Sequence, residues 1–304
     1  MKKRNVLGYL LMIIALIIPI YMLSSMTLNK FMPKEDYSKY INNSKVNVQQ
    51  FKTIKSEINK YNEKLTSDNS NIVDPFGTED YKAAYDFEGA DENFILGYIR
   101  VPRLDINYPL KLGTSDENIR NGFGHVDGTS LPDSGKGSRS VIAAHRVTRT
   151  DLMLYYVNKI QEGDVLFLDL GYKVIEYRYK ETEIIDPSDW EKLLPEENQE
   201  LITILTCDPP YPPFSNRILV TFEKANELIL EESEIVKNDT TEKSQVGSRD
   251  ALTNLYKGNL LSKEEKKSEG QVLPLIILVI TVLLWLTLFI VVIKFIRKLL
   301  NKNN

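Results

Sequence analysis

The sequence contains few of the residues that form disulfides and metal sites. Its 304 residues include one cysteine, Cys207, and two histidines, His125 and His145. A single cysteine excludes an internal disulfide framework. One cysteine and two histidines also do not supply the ligand spacing of a standard zinc site. We therefore expect no bound metal and no cofactor.

The signatures of several other protein classes are also missing. The sequence has neither a glycine-rich dinucleotide motif nor a P-loop. No serine lies in a G-x-S-x-G elbow, so no serine nucleophile is indicated. The net charge is −4 and the cations form no marked patch, so nucleic acid is not an expected partner.

Long apolar runs, in contrast, are present in excess. Residues 5–29 and 272–293 carry no charged side chain, and each run exceeds the roughly 20 residues that a helix needs to cross a bilayer. We predict an N-terminal membrane anchor at 1–29 and a second transmembrane helix at 272–293. A cleaved signal peptide is the alternative for the first run, because two serines near its end resemble a cleavage site.

Basic residues flank both runs on the sides that face the chain termini. They are Lys2, Lys3 and Arg4 before the first run, and Lys294, Arg297, Lys298 and Lys302 after the second. Because such cations concentrate on the cytoplasmic side, we predict a cell-membrane protein with both termini in the cytoplasm. The segment 294–304 would be a basic cytoplasmic tail, and residues 30–271 would lie outside.

The first part of the external segment has a helical pattern. Apolar residues recur every three or four positions within 36–66, which predicts an amphipathic helix. Residues 66–80 break this pattern with polar side chains, Pro75 and Gly77, so we predict an exposed loop there. Together, residues 30–92 form a predicted extracellular helical appendage with a loop.

Residues 93–225 have the pattern of a β-domain. Short apolar runs alternate with Gly, Pro, Asp and Asn clusters: "FILGYIRVPRLDINYPL", "SVIAAH", "DVLFLDL", "KVIEYRYKETEII", "LITILTC" and "RILVTFEK". Many short strands in one segment favour a mainly β fold with a closed or nearly closed barrel. A short helix is predicted at 150–160. The polar stretch 226–271 is predicted to be a tether.

The single cysteine lies where one of these strands must end. Cys207 follows "LITILT" and precedes four prolines, which cannot donate hydrogen bonds to a sheet. Pairing resumes at Arg217, and if these two strands are adjacent, both residues would lie near one edge of the same sheet. A thiol needs a proton acceptor or a nearby cation to become reactive, and His125 and His145 are the candidates. A buried, inert cysteine is the alternative.

These residues resemble the sortases, the cysteine transpeptidases of Gram-positive cell surfaces. "TILTC" at 203–207, followed by Arg217 on the next strand, is similar to the family signature. The stretch 113–146 resembles the histidine block of class C, the pilus-assembling sortases, and 96–110 resembles the opening strands. The resemblance implies a sortase-type barrel of about eight strands, and the two membrane runs fit class C.

The resemblance also implies roles for individual residues. Cys207 would be the nucleophile, His145 the general acid and base, and Arg217 the residue that holds the substrate backbone or the developing oxyanion. Thr206 would contribute to substrate binding. His125 would be a structural histidine in a glycine-rich loop.

The loop "DPFG" at 74–77 resembles the class C lid. Asp74 would pair with Arg217, and Phe76, next to Pro75, would cover the thiol; a plain proline turn is the alternative. Two features depart from the family. Four prolines lie between Cys207 and Arg217, which leaves the loop shape and the substrate preference open, and "GSRS" at 137–140 replaces a threonine-histidine pair.

The expected function is therefore that of a membrane-anchored sortase. It would cleave an LPxTG-like sorting signal between Thr and Gly and transfer the product to a pilin lysine, so surface proteins and pilin subunits would be its partners. The alternative within the family is attachment of surface proteins to a peptidoglycan precursor amine. The alternative outside it is a binding module without catalytic activity.

Overall fold

The computed structural model describes residues 3–31, 37, 40, 48–65, 72, 74–77, 85, 87, 94–171, 173–229 and 272–300. Within this part of the chain, eight strands close into a barrel. The strands are β1 (Ile95–Val101), β2 (Ile106–Leu112), β3 (Phe123–His125), β4 (Ser138–Ala143), β5 (Val165–Asp169), β6 (Lys173–Ile185), β7 (Glu200–Asp208) and β8 (Asn216–Ile229).

The order of strands around the barrel is β1-β2-β3-β4-β7-β8-β6-β5. Two of the pairings are parallel, β2 with β3 and β4 with β7, and the other pairs are antiparallel. The predicted closed, mainly β barrel is therefore confirmed. The position of β7 matters most for function, because this strand lies between β8, the next strand in the sequence, and β4, which precedes it by more than 50 residues.

Strand alternation divides the apolar side chains into two groups. One face of the strands forms the barrel interior, which includes Ile142, Ile204 and Val220. The opposite face carries a second group, here called the outer cluster, which comprises Ile119, Val126, Val141, Ala143, Ile185, Leu193, Leu205 and Leu219. Phe76 and Trp190 pack against the outer cluster.

The short helices around the barrel differ from the sequence expectation. The segment predicted as a helix at 150–160 forms turns and a 3-10 helix at Val157–Lys159. Further 3-10 helices occupy Pro102–Leu104 and Trp190–Leu193. Helix α2 (Val48–Leu65) covers the second part of the predicted helix 36–66, and helix α3 (Asp116–Asn121) precedes β3.

Two boundaries also lie beyond their predicted positions. Strand β8 continues to Ile229, four residues past the predicted end of the barrel at 225, because it pairs with the long strand β6 as far as Lys173. The rest of the predicted tether lies outside the described residues. The C-terminal helix continues to Leu300, into the predicted tail.

Two long apolar helices form a separate unit of the chain, described here by itself. Helix α1 (Lys3–Phe31) and helix α4 (Val272–Leu300) are long and apolar enough to span a membrane. They pack against each other: the Tyr9 ring lies 5.5 Å from the Phe295 ring, and Trp285 Nε1 donates to Ser24 Oγ at 3.2 Å. The two helices are therefore antiparallel, with the chain termini at the same end.

Candidate active site

Three strand ends bring Cys207, His145 and Arg217 to one place. Cys207 lies directly opposite Arg217 in the antiparallel pair β7–β8. On the other side of β7, the parallel strand β4 aligns Ala143 with Leu205. The Ala144 amide continues this pairing, since it donates to the Leu205 carbonyl at 3.3 Å. His145, two residues beyond the end of β4, therefore follows a segment that is held against the end of β7 that carries Cys207.

The same alternation places these three side chains on one face. Cys207 follows Leu205 by two residues, His145 follows Ala143 by two, and Arg217 precedes Leu219 by two; all three reference residues belong to the outer cluster. Side chains two apart share a face of a strand. The cysteine, imidazole and guanidinium therefore extend the outer cluster at its polar end.

Thr206 lies on the opposite face. Its side chain is fully buried, and its hydroxyl donates to the Ala144 carbonyl at 2.7 Å. This bond ties β7 to the segment that leads into His145. The side chain thus points into the barrel, away from the face that carries Cys207. The expected role of Thr206 in substrate binding stays a prediction.

The turn at 74–77 closes over the outer face. Asp74 accepts two hydrogen bonds from Arg217, at 3.2 Å from Nε and at 2.6 Å from Nη2. Such a bidentate contact with a carboxylate is the strong form of an arginine ion pair. The Asp74 carboxylate also accepts from the Phe76 amide at 3.2 Å, which fixes the turn, and Pro75 is buried.

The ring of Phe76 contacts both Arg217 and His145. Its ring centroid lies 5.2 Å from the guanidinium carbon of Arg217 and 5.9 Å from the centroid of the His145 ring. The ring is therefore packed over the polar end of the outer cluster, between the arginine and the histidine. In this arrangement Asp74 binds Nε and Nη2 of Arg217, and Nη1 donates to the carbonyls of Phe214 and Asn216 at 3.0 Å.

The thiol of Cys207 is buried with 8% of the residue exposed. Burial raises the pKa of Cys207, the charge of Asp74 raises it further, and the positive charges of Arg217 and Arg146 lower it. Because burial has the largest effect, the net direction is upward and the resting thiol carries its proton. A nucleophilic role would thus require a base or the departure of the turn.

Arg146 was missed by the sequence reasoning. This buried arginine donates to the Cys207 carbonyl at 3.0 Å and to Asp208 at 2.5 Å. It links the residue after the histidine to the residues at and after the cysteine. Arg146 directly follows His145, and Asp208 directly follows Cys207. This placement of opposite charges could have indicated the ion pair, but only if β4 and β7 were known to be neighbours.

Asp116 was also missed. Its carboxylate oxygen Oδ1 lies 3.3 Å from His145 Nε2. Arg120, one helical turn further along α3, donates to the other oxygen, Oδ2. The two residues of the His145–Asp116 contact are 29 positions apart in sequence, and no sequence pattern connects them.

His125 is buried in β3, not placed in a loop as expected. Its Nε2 lies 2.9 Å from the Ser130 carbonyl, and its Nδ1 lies 2.5 Å from the hydroxyl of Tyr85. Burial lowers the pKa of His125 to about 4, so the imidazole is neutral. It lies at the end of β3 on the far side of β4 from β7, which fits a structural histidine.

Comparisons with known proteins identify the family. A sequence model of the Sortase domain matches residues 99–225. The crystal structure of sortase C-3 from Streptococcus pneumoniae is 35% identical and has a TM-score of 0.57; the match covers 66% of this chain and 90% of that chain. The chain belongs to the sortase family.

Two further relatives refine the comparison. The Streptococcus pneumoniae sortase C, a protein described with a pilin substrate specificity, is 26% identical with a TM-score of 0.55, and the match covers 64% of this chain and 99% of that chain. Sortase A of Listeria monocytogenes is 28% identical over 54% of this chain and 70% of its own length. This sortase therefore has the fold of class C, and it is a cysteine transpeptidase.

Proposed function

We propose that this sortase polymerises pilin subunits at the cell surface, with Cys207 as its nucleophile. The observation that carries the proposal is the arrangement on the outer face: Cys207 lies opposite Arg217 on adjacent strands, and Phe76 contacts both Arg217 and His145. A thiol, an imidazole and a guanidinium on one face supply a nucleophile, a proton carrier and an anion-stabilising group.

The reaction would proceed in two acyl transfers. The Cys207 sulfur attacks the threonine carbonyl of an LPxTG-type signal, and the thiol proton passes to His145. The Thr–Gly bond then breaks, a thioester forms, and His145 returns the proton to the leaving amine. A lysine amine of the next pilin attacks the thioester and gives a proton to His145. An isopeptide bond forms and the thiolate, on taking up that proton, becomes the thiol again.

Arg217 would act on the charge that develops on the carbonyl oxygen. A guanidinium aimed at that oxygen stabilises the tetrahedral intermediate. In the structure its Nε and Nη2 are bound by Asp74. The turn at 74–77 would therefore be a lid that must leave before the reaction starts, and lid opening would control the rate.

Three observations support a pilin as the acceptor and the membrane as the site of action. The similar Streptococcus pneumoniae sortase C is described with a pilin substrate specificity. Two apolar helices are long enough to span a membrane, and their antiparallel packing brings the termini to one end. Together with the basic flanks, this supports cytoplasmic termini and an extracellular barrel.

The test is a reconstitution with the full chain in detergent. A pilin with an LPxTG-type tail is incubated with the wild type and with Cys207→Ala, and covalent oligomers are followed by gel electrophoresis and mass spectrometry of the joined peptide. We expect oligomers linked through a pilin lysine with the wild type alone. An oligoglycine amine is added in a parallel reaction.

Each rival function has its own outcome. Transfer to the glycine amine without any transfer to pilin would refute polymerisation and favour cell-wall anchoring. Unchanged surface-protein attachment in cells that carry Cys207→Ala would refute catalysis and favour a binding module.

A further inference from the structure

The backbone of His145 is fixed on two sides. Its amide donates to the Ile119 carbonyl at 3.1 Å, and the preceding amide of Ala144 donates to the Leu205 carbonyl at 3.3 Å. Leu205 belongs to β7, the strand that carries Cys207, whereas Ile119 belongs to helix α3. The histidine is therefore held in register with both the cysteine strand and this short helix.

Helix α3 is itself firmly attached to the barrel. Ser115 caps its first turn, since its side chain accepts from the Asn118 amide at 3.3 Å. The Asn118 side chain donates to the carbonyls of Leu112 at 3.0 Å and Gly113 at 3.2 Å, at the end of β2. A side chain on this helix thus has a defined position relative to His145.

Asp116 uses that position to contact the His145 imidazole. Oδ1 lies 3.3 Å from Nε2, and Oδ2 accepts from Arg120, so the carboxylate is braced on its other side. The other described contact of the His145 ring is with Phe76. Phe76 would leave with the lid, whereas Asp116 is on a different element and would stay during turnover.

We propose that Asp116 is a positioning residue that orients the His145 ring and keeps its proton on Nε2, which leaves the Nδ1 lone pair free to accept the proton of Cys207. This inference rests on the proposed role of His145. A carboxylate can only accept, so the ring nitrogen beside it must donate, and a neutral imidazole has one proton to donate.

The same contact favours the step that follows. When the thiol proton moves to Nδ1, the imidazole becomes a cation, and the negative charge of Asp116 stabilises that cation. The effect is limited by solvent, because 67% of the Asp116 side chain is exposed and Arg120 shares the carboxylate. We therefore expect a loss of about tenfold in kcat for Asp116→Ala, with little change in KM.

An isosteric variant makes the proposal sharper. In Asp116→Asn, Arg120 can only donate and therefore selects the amide oxygen. The amide NH₂ then faces Nε2 of His145, which must accept, so the proton moves to Nδ1. We expect Asp116→Asn to lose more activity than Asp116→Ala, although it differs less in shape. A merely structural role would give the opposite order.

The experiment combines kinetics with the nitrogen shifts of the two histidines. Full-length protein labelled with ¹⁵N-histidine is studied in detergent, in the lid-opening Asp74→Ala background, well above the ordinary histidine pKa of about 6.5. We expect His145 to carry its proton on Nε2 in the Asp74→Ala background and on Nδ1 when Asp116→Asn is added. With Asp116→Ala, we expect nitrogen shifts averaged between the two tautomers. The buried His125 reports on folding in every variant, and Glu117→Gln on the same helix is the matched control.

Two failures can be told apart by the activity of the same proteins with an LPxTG-type peptide. If Asp116→Ala and Asp116→Asn both retain the shifts and the kcat of Glu117→Gln while His145→Ala is inactive, the positioning role is wrong and the proposed function stands. If His145→Ala is fully active, the proposed function of His145 itself is wrong.

Discussion

The contact between Asp74 and Arg217 leads to a measurable prediction about access to the thiol. The two side chains are 19% and 7% exposed. Hydrogen bonds between charged groups each contribute about 1.5–3 kcal/mol, and partial exposure reduces the sum. We take about 2 kcal/mol as the loss on Asp74→Ala. If labelling requires an open lid, this loss raises the open population, and with it the labelling rate, about 30-fold, since each 1.4 kcal/mol is a factor of about ten.

The charge of Asp74 acts in the same direction. It raises the pKa of Cys207, so its removal increases the thiolate fraction at neutral pH. Phe76→Ala removes the aromatic contact with Arg217, which is worth about 1 kcal/mol, and should accelerate labelling by about fivefold. Asp74→Ala should thus have the larger effect.

The assay is simple because Cys207 is the only cysteine in the chain. The pseudo-first-order rate of alkylation by iodoacetamide is measured by mass spectrometry for the wild type and both variants. Glu183→Ala is the control, because it breaks an ion pair with Lys192 that is exposed to solvent. Equal rates in all four proteins would show that the turn at 74–77 does not restrict access to the thiol.

Three further predictions follow from the same structure. The alkylation rate of the wild type should rise with pH through the alkaline range, because the pKa of Cys207 is raised. The plot of alkylation rate against pH for Asp74→Ala should be shifted to lower pH, and coincident plots would contradict the assigned effect of Asp74. Arg146→Met should lower the free energy of unfolding by about 3 kcal/mol, because it leaves Asp208 without its buried partner; an unchanged midpoint of thermal unfolding would refute this loss of stability. The same variant should move the alkylation curve to higher pH, since Arg146 lowers the pKa of the Cys207 thiol. Folding holds the pKa of His125 at about 4, below the ordinary value of 6.5, so the unfolded chain binds the proton first as the pH falls. The free energy of unfolding should therefore decrease by up to about 3 kcal/mol between pH 6.5 and pH 4. His125→Asn should lose this pH dependence in thermal unfolding, and an undiminished dependence would assign it to other groups.

The strands were predictable because their local patterns are strong. "KVIEYRYKETEII" corresponds to β6 at Lys173–Ile185, and "LITILTC" to β7 with one further residue at each end. Strand β3 was not predicted, because it has three residues and lies between glycine-rich turns. Its pairing with β2 and β4 stabilises it, and no local preference does.

The helix expected at 150–160 was wrong for a related reason. Its apolar residues Leu154, Val157 and Ile160 have helical spacing, and all three are buried in the barrel core. Packing against the barrel satisfies this pattern through turns and a single 3-10 helix. Apolar spacing therefore indicated which residues are buried, although it did not indicate the backbone that buries them.

The sequence by itself determined the two apolar helices, most of the strands and the candidate residues Cys207, His145 and Arg217, because these depend on composition, on local periodicity and on motif residues. Only the tertiary structure decided which strands are neighbours. The insertion of β7 between β4 and β8 aligns the cysteine with the histidine and the arginine, turns Thr206 inward, and brings Arg146 to the site. The attachment of α3 to the end of β2 and to the His145 backbone brings Asp116 there. Such contacts depend on register between distant segments, and register is set by the packing of the whole barrel.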